Sequence, residues 1–222
     1  MIMNKNNLTI IVVLLVIIGG FWFWQSQPAG VVAPSGVVSS STPFTATTSA
    51  SDPKIELGTS SAPRVTKGVV PNLGHQVVYK TGLTVEQKKA IVSSIEQARG
   101  VLASDKFNFD AWIDLANVTS GAGDDNYAIE ILKFVSLNTP KWALPESNLG
   151  MIYGYHIHDN TTAESHFRIA LEREPNVAYY WIQTAQFFID IDNEAEARRV
   201  LQTGKNKKVT DYQRLEQMLK SL

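Results

Sequence analysis

Apolar residues recur at helical spacing through the second half of the chain, and that recurrence carries a second, longer period. Trp112 and Trp181 stand 69 residues apart, one step of 34 plus one of 35. Ala128, Ala163 and Ala197 follow at 35 and then 34, as do Leu132, Phe167 and Leu201, and Val135, Ala170 and Gly204. Pro140 and Pro175 are again 35 apart. A fixed period in this range predicts stacked helix–turn–helix units, each too small to bury its apolar face alone. The units run over about 109–142, 143–177 and 178–210.

Local signals fill in the elements. Thr84 and Gln87 form a capping-box pair ahead of an apolar stripe of Val85, Ile91, Val92, Ile95, Ala98, Val101 and Leu102, which predicts a flanking helix ending near Ser104. In unit one, Asp124 or Asp125 is placed to cap the second helix. Unit two opens with Pro145 in a first turn, where a missing N–H costs little. Its extra residue is expected in a loop over 155–160, with Thr161 and Glu164 as a second capping box. In unit three, Asp192 or Asn193 caps the second helix. Residues 211–222 predict a final amphipathic helix closing the stack.

These residues resemble the tetratricopeptide repeat. Unit one supplies Trp112, Leu115, Ala128 and Pro140; unit two supplies Leu149, Gly150, Tyr153, Ala163, Phe167, Ala170 and Pro175; unit three supplies Trp181, Ala185, Phe188 and Ala197. Three positions depart from the pattern. Glu146 replaces an aromatic, Thr184 a leucine, and Val209 the third proline. The expected fold is an all-α, TPR-like helical-hairpin solenoid of about three repeats plus flanking helices, spanning 83–222.

In that family the first helices of the units line a concave groove that binds protein segments. Carried onto this chain, the groove residues are Asp110, Ile113, Asp114 and Asn117, then Ser147, Asn148, Met151 and Tyr155, then Tyr179, Ile182, Gln183 and Gln186. Met151, Tyr155 and Tyr179 are the expected anchors, because aromatic and flexible apolar side chains dominate contact energetics. The three first helices contain no Lys or Arg. The basic residues Lys133, Arg168, Arg173, Arg198 and Arg199 fall on the second helices. A neutral-to-acidic groove suits a neutral or basic segment and would repel an acidic tail. It also argues against nucleic acid, which needs a positive track.

The N-terminal part has a different pattern. Residues 8–24 are almost wholly apolar, and no charged residue occurs between Lys5 and Asp52. As a helix the stretch would span roughly 25 Å, close to the ~30 Å of a hydrocarbon core. Phe21, Trp22, Phe23 and Trp24 suit the water interface. An uncleaved transmembrane signal anchor and a cleaved signal peptide both fit this composition, and residues 26–30 match a cleavage site poorly. The anchor reading keeps residues 1–7 cytoplasmic beside Lys5 and places the rest outside a bacterial-type cell membrane. Residues 25–80 are rich in Ser, Thr, Pro, Ala, Val and Gly and predict a disordered linker with an end-to-end distance of roughly 40 Å. Within it, Val69, Val70 and residues 76–79 form short apolar runs that could dock as extended chain.

Charge and chemistry change this picture little. The net charge is −1, so no global field favours nucleic acid or an anionic surface. The chain has no cysteine, which removes disulfides and thiolate metal sites. His156, His158 and His166 invite a metal reading. His156 and His158 fall at a helix end, and His166 is expected on the exposed side of the next helix. Asp124 and Asp125, Asp190 and Asp192, and Glu194 and Glu196 sit where helix N-termini favour acids. No nucleophile elbow, phosphate-cradling glycine loop or zinc-binding H-E-x-x-H is present. The expectation is a non-enzymatic protein with no cofactor and no metal. It would be either a membrane-tethered interaction module in an envelope assembly, or a structural subunit of an obligate complex or homo-oligomer.

Overall fold

The computed structural model describes residues 66–222. The expected membrane segment at 8–24 and the linker over 25–65 lie outside the described residues. Within them the elements are α1 (Val85–Ser104), α2 (Phe109–Ala122), α3 (Asp125–Asn138), α4 (Leu144–Met151), a π-helical segment (Ile152–Ile157), α5 (Asn160–Arg173), α6 (Ala178–Asp190), α7 (Glu194–Asn206) and α8 (Tyr212–Ser221). Among the described residues the only β pairing is an isolated bridge between Val177 and Thr210. None of the described helices is long and apolar enough to cross a membrane.

Three helical hairpins form a TPR-like stack: α2 with α3, α4 and its π extension with α5, and α6 with α7. α1 packs on α2 at one end, and α8 packs on α6 and α7 at the other. The caps come largely from the residues expected. Thr84 and Gln87 make both bonds of a capping box on α1, Asp124 caps α3 and Asn193 caps α7. Unit two departs: α5 is capped by Asp159, which accepts from the Thr162 amide at 3.0 Å, and not by Thr161.

Small residues recur where helices cross. Ala128, Ala163 and Ala197, spaced one unit apart, are fully buried. Gly150 lies against the Phe167 ring, and Gly204 against Trp181 and Leu215. The core divides into two clusters, one over units one and two and one over units two and three, and Tyr153 packs on both.

The extra residue of unit two is not in a loop. The first helix continues through Ile157, and the insertion is taken up as the π-helical segment. The widened segment covers six residues at the very end of the helix, so no regular turn follows it. His158 then closes the helix in the left-handed conformation at φ 62°.

Residues 67–80, which composition assigns to the linker, are extended chain held on unit one. The Lys67 amide donates to Asn138 Oδ1, and Asn138 Nδ2 donates back to the Lys67 carbonyl at 2.9 Å. Tyr127 donates its hydroxyl to the Asn72 carbonyl at 2.7 Å. The Val78 amide donates to Asp124 Oδ2 at 2.9 Å, and the Lys80 amide to the Ala122 carbonyl at 2.7 Å. His75 stacks on Tyr127 at 4.0 Å and bonds Asp124 Oδ2 at 2.8 Å. Local polarity hides this strap, because it is held by backbone groups reaching partners 42 (Lys80 to Ala122) to 71 (Lys67 to Asn138) residues away.

Candidate functional site: the face of the first helices

Apolar positions in α2, α4 and α6 turn toward the second helices, which leaves one polar side of each first helix to solvent. On α2, Asp110, Asp114 and Asn117 are exposed, whereas Ile113 is buried in the core. On α4, Asn148 is half-buried and Met151 exposed, while Ser147 is buried. On α6, Tyr179 and Gln186 are exposed, and Ile182 and Gln183 are half-buried. The structure therefore leaves six of the twelve candidate residues exposed and four, Tyr155 among them, half-buried, and withdraws Ile113 and Ser147 into the packing.

Hydrogen bonds join this face across the units. Asn148 Nδ2 donates to Asn117 Oδ1 at 2.9 Å, tying unit two to unit one. Tyr155 donates its hydroxyl to Asp190 Oδ2 at 2.7 Å, and Gln186 donates to Asp190 Oδ1 at 2.8 Å, tying unit two to unit three. Burial, followed by its bond to Asp190, pushes the Tyr155 hydroxyl above its usual range. Burial and the neighbouring Asp110 raise the Asp114 carboxyl. The exposed charges along this face are acidic at both ends, at Asp110, Asp114 and Asp190, and α2, α4 and α6 contain no Lys or Arg.

The π-helical segment aims neighbouring side chains in opposite directions. Tyr155 reaches unit three, whereas His156 reaches back to unit one, where its Nδ1 lies 2.8 Å from Asp125 Oδ1. Ser120 donates to the same Asp125 oxygen at 2.6 Å. The loop expected over 155–160 is thus replaced, up to Ile157, by helix that carries both contacts.

A second polar cluster lies away from that face, and sequence reasoning missed it. Glu146 occupies the place that Trp112 and Trp181 fill in the other units, and it is buried. Its Oε2 lies 2.6 Å from His166 Nδ1, and its Oε1 lies 2.8 Å from Arg173 Nη2. Ser136 donates its hydroxyl to the same Oε1. Burial by itself raises the Glu146 carboxyl. Bonds from His166 and Ser136, with the Arg173 charge, outweigh that and hold it below the usual glutamate value. His166 is thus not on an exposed side: it pairs with Glu146 and stacks on Tyr153 at 5.4 Å. The sequence signal was the aromatic-to-Glu departure, since a charge at a core position needs partners. Among the described residues, no group of three or more His, Cys, Asp or Glu side chains is placed to hold a metal ion.

No known family model matches the chain. No curated protein matches it either. Among solved structures, the chain is similar to the crystal structure of MamA, with 18% sequence identity and a TM-score of 0.44 over 56% of this chain and 74% of that one. A likeness at that level bears on neither partner nor activity.

Proposed function

We propose that this protein is a non-enzymatic, membrane-tethered interaction module that takes a neutral or basic protein segment along the face of its first helices. One observation carries the reading: a solvent-facing row joined across the units by hydrogen bonds and carrying Asp110, Asp114 and Asp190, with no Lys or Arg on α2, α4 or α6. Met151 and Tyr179 supply exposed apolar and aromatic contact area beside these acids. Opposite charge on a partner would steer encounter and fix register. Residues 8–24 supply the proposed tether, which would hold the domain on the outer side of a bacterial-type membrane within an envelope assembly.

Fluorescence anisotropy on the full chain in detergent tests the groove, with labelled extended peptides of basic, neutral and acidic composition. Basic or neutral peptides should bind, and a Met151→Ala, Tyr179→Ala double variant should weaken them at least tenfold. Preference for the acidic peptide, or indifference to the double variant, overturns the reading. Topology has its own test, because the chain has no cysteine. A Leu222→Cys variant in intact cells should react with a membrane-impermeant maleimide. Protection until lysis would place the domain on the inner side.

A further inference from the structure

A cavity of about 440 Å³ opens between α3, α5 and the start of α4, on the side of the stack that carries the second helices. Glu146, Arg173 and His166 form its inner part. Both Glu146 oxygens are already engaged, one by Arg173 and Ser136 and the other by His166. That charge is spent within the protein. Two further cations, Lys67 and Lys133, line the same cavity, and neither has a carboxylate partner among the described residues. Lys133 Nζ instead sits 5.8 Å from the Tyr153 ring. The rest of the lining is Ser136, already bonded to Glu146, and three apolar residues: Leu137, about half exposed, Pro140 and the buried Leu149.

Unspent positive charge beside exposed apolar surface, on a shallow and largely open depression, suits a small molecule with an anionic head and an apolar body. We propose that this cavity binds a small organic carboxylate, with its head between Lys67 and Lys133 and its body against Leu137 and Pro140. The strap brings Lys67 to the site, because its backbone N–H and carbonyl are both bonded to the Asn138 side chain. The site is independent of the face of the first helices, so either can fail without the other.

The test uses the full chain in detergent with ring-labelled histidine, at fixed pH and ionic strength, followed by NMR. Four histidines give few signals, and His166 reports from within the cavity wall. Benzoate is the probe, benzyl alcohol the uncharged control, and inorganic phosphate the control without an apolar body. Benzoate should shift the His166 signal saturably. The Lys67→Glu, Lys133→Glu double variant should weaken it at least tenfold. Both side chains are exposed, so the unfolding midpoint should stay close to that of the parent. Leu137→Asp, also at an exposed position, should weaken benzoate binding without touching either lysine. The proposal is overturned by the absence of a saturable shift, by full binding to the double variant, or by an equal response to benzyl alcohol or phosphate.

Discussion

Trp112 and Trp181 make the same bond 69 residues apart: each buried indole donates its N–H to the carbonyl six residues upstream, Lys106 at 3.1 Å and Pro175 at 2.9 Å. The equivalence has an energetic meaning. In each case the ring fills the space between helices, and its one polar atom satisfies a carbonyl at the entry to the unit. Replacing either Trp by Phe keeps most of the apolar volume and orphans that carbonyl. Trp112→Phe and Trp181→Phe should each cost about 1–3 kcal/mol. Denaturant midpoints check this, and a neutral outcome at either site would show that the bond is dispensable.

Glu146 should make stability pH-dependent on the acid side. Its folded-state value lies below the ordinary glutamate value of 4.5. Its contribution is therefore complete above that value and is lost as pH falls through the lower, folded one. Glu146→Gln should cost about 3 kcal/mol near neutral pH, because Arg173 then faces an uncharged amide in a buried site. The variant should also show a flatter loss of stability in acid. The slope should not vanish, since Glu196, held at about 2 by Arg199 and Arg168, and Asp124, also lowered, remain. Unfolding free energy measured from pH 7 down to pH 3 checks both parts, and parallel acid limbs for parent and variant would exclude the assignment.

Two glycines inside helices should respond with opposite signs. At Gly204 a new Cβ would lie 2.6 Å from Leu215 and 2.8 Å from Trp181, both buried. Gly204→Ala should cost about 1–3 kcal/mol by overpacking the seam between α7 and α8. At Gly100, in the interior of α1, nothing lies within 4 Å of the added atom. Gly100→Ala should gain about 0.5–1 kcal/mol by restricting the unfolded chain and favouring the helix. Thermal melts of the two variants decide it, and a shift of the same sign in both would contradict the packing described.

Asp124 has two tasks. It caps α3 through the Tyr127 amide, and it holds the strap through the Val78 amide and His75. Asp124→Ala should cost about 1–2 kcal/mol for the cap alone. Trypsin cleavage after Lys80 should accelerate severalfold relative to cleavage within α3. Mass-spectrometric timing of the two cuts reads the difference, and an unchanged Lys80 rate would mean that the strap is held without Asp124.

The sequence alone determined the helical stack and its register. Trp112 with Trp181, and Ala128 with Ala163 and Ala197, are legible because alternating bulk and smallness at one period has few packing solutions. The cap at Thr84 was legible, and those of α3 and α7 to within two adjacent residues, Asp124 or Asp125 and Asp192 or Asn193, since a helix start needs an acceptor within its own first turn. Tertiary structure decided what local pattern leaves degenerate. One extra residue in unit two fits a loop or a widened turn equally well by spacing. The π-helical segment lets Tyr155 and His156 reach Asp190 and Asp125, partners 35 and 31 residues away. Likewise Glu146 reads as a departure until Ser136, His166 and Arg173 surround it, and the strap reads as linker until Asp124 and Asn138 receive it. Helical period is a short-range property written along the chain, whereas the partner of a buried charge or a stray backbone amide exists only once distant helices have packed.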